Sequence, residues 1–412
     1  MRAAGPRLIA ALLTALLIAA PAAAEPPRWV ITWGTAQQEP EPHNALPAGA
    51  LADATLRQLV RTSIAGKSFR LRISNAFGNA PLTIRGVNVA RALDPASSRI
   101  DPATNRALTF SGARHVTIPA GAEYLSDPVD LPLPPLSTVA VSIHVGDHPP
   151  VQTGHPGSRA TSYVARGDLL SAPELADATK VDHWYLLSSI DVVASNAAAV
   201  AIIGDSITDG FGVKPNTNNR WTDFLAERLQ ASRRTRNVAV LNLGLGGNRV
   251  LRDGLGPNAA ARFERDVLAR SGVRWLVILE GVNDLGGLTR DAPATPEQHR
   301  ALVGDMLHAF AQMTAKARER GIRVIGATIL PYGGSAYYHP DAANEADRQA
   351  INAWIRTPGN VDAVIDFDRI MRDPASPNRL RAEYDSGDGL HPSIAGYRAM
   401  AEAVPLSLFG GR

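Results

Sequence analysis

The chain has 412 residues, 45% of them hydrophobic and 20% charged, with a formal net charge of +3 and no cysteine. That composition is globular, and the missing thiols exclude disulfides, a thiolate metal site, a cysteine nucleophile and a lipid-bearing cysteine. The small net charge, without a long basic run or aromatic-basic interleaving, excludes nucleic acid as an expected partner.

The opening residues read as an address. Arg2 and Arg7 give a positive start, Leu8 to Ala20 is apolar, and Ala22-Ala23-Ala24 offers a small-residue cleavage site. The run is short for a bilayer span. Residues 1–24 are therefore expected to be a signal peptide, with the mature chain starting near Glu25, exported to the periplasm or the medium and not stably inserted in a membrane. Removing 24 of 412 residues leaves 388, more than one core usually supports, so two domains are expected, over 25–196 and 197–412.

From Thr55 to about Val193 the hydrophobic period is mostly two. Phe69, Leu71 and Ile73 alternate with Arg70, Arg72 and Ser74, and Val139, Val141, Ile143 and Val145 alternate with small or polar residues. Turn-rich stretches such as Asn75 to Asn79 and Pro132 to Pro135 separate these half-buried strands, and no amphipathic helix intervenes. An all-β sandwich or jelly roll is expected. Gly66-Lys67-Ser68 ends like a phosphate loop, but Arg61 stands where the earlier glycine belongs; a hairpin turn is the better reading.

After Ala197 the rhythm changes. Val200 to Ile203, Val238 to Leu243, Trp275 to Leu279, Ile322 to Ile329 and Ala363 to Ile365 are apolar runs suited to strands buried on both faces. Helical patterns lie between and after them, over Trp221 to Arg233, Ala259 to Ser271, Pro296 to Arg320, Glu345 to Ile355 and Ser393 to Val404. Thr295, Pro296 and Gln298 form a capping box at the start of the third. Five strands alternating with helices predict a doubly wound, flavodoxin-like parallel α/β sheet, with its chemistry at the carboxyl ends of the strands.

Four segments fall there. The first strand runs into Gly204-Asp205-Ser206-Ile207-Thr208-Asp209-Gly210, which presents a serine hydroxyl among free backbone N–H groups. The second ends in Asn242 to Arg249, rich in glycine; Arg249 occupies the last position of a G-x-G-x-x-G dinucleotide motif and so breaks it. The third ends in Glu280-Gly281-Val282-Asn283-Asp284. Asp388-Gly389-Leu390-His391-Pro392 precedes the last helix, and Pro392 biases His391 toward an extended backbone.

These four segments, in this order, resemble the four sequence blocks of the SGNH (GDSL) hydrolase family, and the similarity spans nearly all of Ala199 to Leu408. The resemblance implies Ser206 as nucleophile, Asp388 and His391 as the rest of a triad, and Gly247 and Asn283 as oxyanion donors beside the Ser206 N–H. Ile207 departs from the leucine common in the first block, a conservative change. The roles make physical sense. A serine hydroxyl needs a neighbouring base, a carboxylate fixes the imidazole tautomer, and fixed donors stabilise the oxyanion of ester attack.

An α/β-hydrolase would also order its triad Ser, Asp, His, but no G-x-S-x-G elbow occurs. Asp385 competes with Asp388 for the acid role, and the family's D-x-x-H spacing favours Asp388. Asp205, Asp209 and Asp284 suit caps and loop bracing; His299, His308 and His339 lack metal spacing and read as surface or loop residues. The loop Pro331 to Pro340 should overhang the site, its tyrosines available to a sugar ring or an acyl chain. The β region resembles the sandwich modules that precede SGNH domains in some secreted carbohydrate esterases. The expected activity is carboxylic ester hydrolysis, with deacetylation of a polysaccharide or glycoside ahead of a lipase or simple-ester hydrolase. A non-catalytic carbohydrate-binding envelope protein is the contrasting reading, against which the complete residue set argues. No cofactor or metal is expected.

Overall fold

The computed structural model describes residues 28–410; the signal segment expected over 1–24 lies outside them. The N-terminal half is all antiparallel β. One sheet runs in the order Trp29–Gly34, Leu187–Val193, Gly66–Ser74, Glu123–Leu125, with Val129–Leu133 also paired to the third. The other runs Thr179–Val181, Ser162–Arg166, Ala54–Arg61, Thr138–Val145, Leu82–Arg91, Arg106–Leu108. Phe69, Leu71 and Ile73 of the first meet Leu56, Val141 and Val89 of the second in one core, so the two form a sandwich.

Two details depart from the sequence reading. Gly66 to Ser68 are not a turn but the start of a strand, Gly66 pairing with Leu133 and Ser68 with Asp130. The first sheet is also buried on both faces rather than one. Its outward residues Val30, Ile31 and Val192 join the hydrophobic core of the C-terminal half, and its polar Asp191 is enclosed by Arg70, Arg72 and Ser271. Alternation had suggested a wet face; here another layer covers it.

The C-terminal half is a five-stranded parallel sheet in the order Val238–Gly244, Ala198–Gly204, Val273–Leu279, Arg323–Ala327, Ala363–Ile365. In chain order that is 2-1-3-4-5, the flavodoxin-like arrangement, whose switch point lies between the first and third strands. Strand Val238–Gly244 would be an open edge, a row of unpaired backbone groups. Trp29–Gly34 packs against it, and the Val240 N–H donates to Ser63 Oγ (3.1 Å).

The helices run Trp221–Ala231, Pro296–Glu319, Ala342–Arg356 and Ile394–Ala403. The capping box at Thr295 is formed in both directions. The stretch expected as one helix from Ala259 is α only to Phe263 and continues as a wider turn over Glu264–Leu268. An unforeseen helix, Val282–Thr289, starts directly beyond the third strand and carries Asn283 and Asp284 in its first turn.

Candidate active site

Ser206 opens a single helical turn, Ser206–Asp209, immediately after the first strand. Asp205 caps that turn, its Oδ1 accepting from the Ile207 N–H (2.9 Å). Ser206 Oγ lies 2.8 Å from His391 Nε2, and His391 Nδ1 lies 2.6 Å from Asp388 Oδ2. A carboxylate can only accept, so Nδ1 carries the proton and Nε2 faces the serine as an acceptor. Both Ser206 and His391 are buried.

Local chain geometry makes the short Asp388–His391 span possible. Asp388 Oδ1 accepts from the N–H groups of Leu390 and His391 (2.9 and 2.8 Å), which turns the second oxygen toward the ring. Gly389 takes a φ of +71° with Gly334 packed where a Cβ would stand, so only glycine fits this turn. Partial burial alone would raise Asp388, but the hydrogen bonds from the His391 ring and from the two N–H groups hold its carboxyl well below the usual carboxylate range. Asp385 instead accepts from the N–H groups of Gly387 and Gly389 (2.8 and 3.0 Å) and shapes the loop.

On the far side of Ser206, Asn283 Nδ2 donates to the Asn248 carbonyl (2.8 Å), and Asn283 Oδ1 accepts from the Tyr338 hydroxyl (2.5 Å). With its oxygen engaged and one N–H used, the amide has one N–H left. Gly247 lies in the adjoining loop with a φ of +68°, and Asp284 braces that loop by accepting from Val250 and Leu251 (2.8 and 3.1 Å). The loop Pro331 to Pro340 thus serves a purpose its composition did not reveal. Tyr338 is buried against the amide, while Tyr337 is 58% exposed. Burial first, then Tyr337, pushes the Tyr338 phenol up, so it remains a neutral O–H donor.

Three acids crowd the strand ends behind the serine. Burial, then the carboxylates of Asp284 and Asp209, pushes Asp205 up to about 7. Glu280 is raised well above its ordinary value by burial and then by Asp205, and Asp284 is pushed up to about 6 by burial. The buried Arg262 ties the strand ends together, donating to the carbonyls of Leu243 and Gly204 (2.7 and 3.1 Å) and to Asn248 Oδ1.

Two more residues went unnoticed in the sequence. The Phe211 ring stacks on the His391 ring with centroids 4.0 Å apart. His155, from the β region, reaches Asp209 with Nε2 2.9 Å from Oδ1, a contact without a local signature. His299, read as a surface or loop residue, is buried in a helix instead and paired with Asp347 (2.5 Å); the pair joins two helices away from Ser206 and His391.

A serine, a histidine and a carboxylate hydrogen-bonded in a row at the switch point of a parallel α/β sheet are the arrangement that serine hydrolases use. Residues 202–399 match the GDSL-like Lipase/Acylhydrolase family. That segment is a GDSL-like lipase/acylhydrolase domain, and the protein is a carboxylic ester hydrolase. Solved structures similar to it include an acetylxylan esterase from Geobacillus stearothermophilus, 23% identical, covering 52% of this chain and 96% of that one with a TM-score of 0.39. A GDSL-like lipase from Bacteroides thetaiotaomicron is 21% identical, covering 50% and 84% with a TM-score of 0.37. No curated protein matches the chain.

Proposed function

We propose that Ser206, His391 and Asp388 form the catalytic triad of an exported esterase that deacetylates a carbohydrate, with 25–196 as accessory domain and 197–412 as catalytic domain. In this reading Ser206 Oγ attacks the ester carbonyl carbon while its proton passes to His391 Nε2. The carbonyl oxygen becomes an oxyanion held by the N–H groups of Ser206 and Gly247 and by Asn283 Nδ2. As the C–O bond breaks, His391 returns the proton to the leaving alcohol oxygen. Water then attacks the acyl-enzyme by the same route, and the acid and Ser206 are released.

The observation that carries the reading is the unbroken hydrogen-bonded run from Ser206 through His391 to Asp388, at 2.8 and 2.6 Å. The protein should hydrolyse p-nitrophenyl acetate and take one organofluorophosphonate on Ser206. Ser206→Ala should abolish the adduct and lower turnover by about 10⁶-fold, as nucleophile loss does in another triad enzyme. An adduct elsewhere, or no adduct and no turnover, overturns it.

The carbohydrate assignment is supported by the half-exposed polar residues around the site, among them Arg159, Arg249, Glu41 and Asn44. A second reading, a lipase or simple-ester hydrolase, draws on Phe211 and Leu255, 45% and 49% exposed. Acetate released from acetylated xylan faster than long-chain acid from a triglyceride favours the first; the reverse order favours the second. Export rests on residues 1–24, and an intact mass beginning near Glu25 tests it.

A further inference from the structure

Beside Gly246, one residue from the proposed oxyanion donor Gly247, opens a cleft of about 250 Å³. Its outer wall comes from the β region through Glu41, Asn44, Arg159 and His183, and its floor from Leu245 and Gly246. The wall is held against the serine turn. A Cβ on Gly157 would stand 1.7 Å from Asp209 Oδ2, so only glycine lets the two segments approach. His155 adds its bond to Asp209 and uses its other ring nitrogen on the Ala36 carbonyl (2.9 Å). Arg220 bridges the Asp209 and Ser158 carbonyls.

We infer that this cleft receives the alcohol half of the ester and that the alcohol is a neutral polyol, so that the β region sets substrate choice. The inference rests on the esterase reading above. The side follows from the histidine. Arg159 lies over the Phe211 ring, 6.0 Å from its centroid, and Phe211 stacks on His391. His391 must hand its proton to the leaving oxygen, and Arg159, which lines the cleft, connects it through the Phe211 ring to the histidine's side of the serine.

The chemistry follows from what the wall leaves unsatisfied. Arg159 enters no ion pair with a described residue, and its Nε is buried without a partner. In the same wall the Glu41 carboxylate is locked by Gln38 Nε2 (2.7 Å) and Asn44 Nδ2 (2.8 Å). His183 Nδ1 donates to the Pro156 carbonyl (2.6 Å), which leaves Nε2 an acceptor. One unpaired donor fork beside oriented acceptors, with both signs of charge lining one cleft, suits hydroxyl groups that both donate and accept. A net-charged alcohol would meet one like charge at close range.

The test compares two acetates that differ only in their alcohol, acetylated xylobiose and p-nitrophenyl acetate, on the full chain. Arg159→Ala and Glu41→Gln should each lower the ratio of kcat/KM for the sugar ester to that for the phenyl ester by about tenfold, the loss of one charge-assisted hydrogen bond. Arg159→Lys should restore part of it. An unchanged ratio in variants with wild-type circular dichroism overturns the inference, as does an equal fall on both esters. If Arg159→Ala does not fold, the isosteric Glu41→Gln decides. A wild-type protein that cleaves the phenyl ester but no acetylated sugar also overturns the inference while sparing the Ser206 chemistry; inactivity on both, without an adduct, removes the esterase reading itself.

Discussion

In the β region Arg57 is fully buried, yet its guanidinium donates to Ser142 Oγ and to the carbonyls of Ser98, Leu169 and Ala172. Asp191 is likewise enclosed by two arginines and a hydroxyl. Behind Ser206 the treatment differs. Asp205, Glu280 and Asp284 are buried together, Arg262 is shared between Glu280 and Asp266, and Glu280 Oε2 has no partner. The first arrangement satisfies each buried charge and fixes loops to a sandwich. The second leaves like charges crowded, which a core selected only for stability would avoid. Carboxyls raised in this way place less negative charge beside Ser206 and Asn283, where the oxyanion would form, than three ordinary carboxylates would.

The largest effect should come from separating the two regions. Val30, Ile31, Ile64 and Val192 belong to the same core as the parallel sheet. Exposing four such side chains costs roughly 1.5–3 kcal/mol each, comparable with a typical total stability of about 5–15 kcal/mol. A fragment spanning 197–412 should therefore lose cooperative thermal unfolding. If it melts cooperatively and turns over p-nitrophenyl acetate like the full chain, the regions are independent modules.

Within the α/β region, Asp388→Asn should lower kcat by about 10⁴-fold with little change in KM, because the imidazole then rests in the wrong tautomer. Asp385→Asn should stay near wild type, since an amide oxygen can still accept from Gly387 and Gly389. The opposite ranking moves the triad acid to Asp385. A smaller loss is expected for Tyr338→Phe. Removing an oxyanion donor outright costs about 10²–10³-fold, whereas this change only frees the Asn283 amide to rotate, so kcat should fall by about tenfold at unchanged KM. No effect on kcat would show that the Asn283 amide is held without the phenol.

The same contrast separates what could be read in advance from what could not. Ser206, Gly247 and Asn283 sit in short blocks just beyond strand ends, so the apolar runs around Val200, Val238 and Trp275 pointed to them before any contact was known, whereas Asp388 and His391 lie in a block before the last helix. Tyr338 and Asn283 are 55 residues apart and His155 and Asp209 are 54 apart, and no local pattern links either pair. The second covered face of the sandwich was hidden for a related reason. Leu187–Val193 contains Ser189 and Asp191, which read as a solvent face until Arg70, Arg72 and Ser271 supply their partners.

The smallest effect is one of slope, and it probes the crowded carboxyls directly. Asp205 rises from 3.8 to about 7 and Asp284 from 3.8 to about 6 on folding, and Glu280 moves in the same direction. Between those limits the folded protein holds protons that the unfolded chain has released, so stability falls as pH rises. The contribution is complete below the unfolded value and is lost as pH climbs through the folded ones. Asp388 acts in the opposite sense. Its carboxyl is lowered on folding from 3.8, so its contribution is present above that value and is lost only in stronger acid. In scanning calorimetry from pH 3.8 to 7 the Tm of the unaltered protein should fall relative to that of Asp205→Asn, whose amide oxygen can still cap the Ser206 turn. The difference between the two slopes isolates this cluster from every other group titrating in the window. Equal slopes would mean that Asp205 is ionised in the folded state, and the contrast between the two regions would then rest on geometry alone.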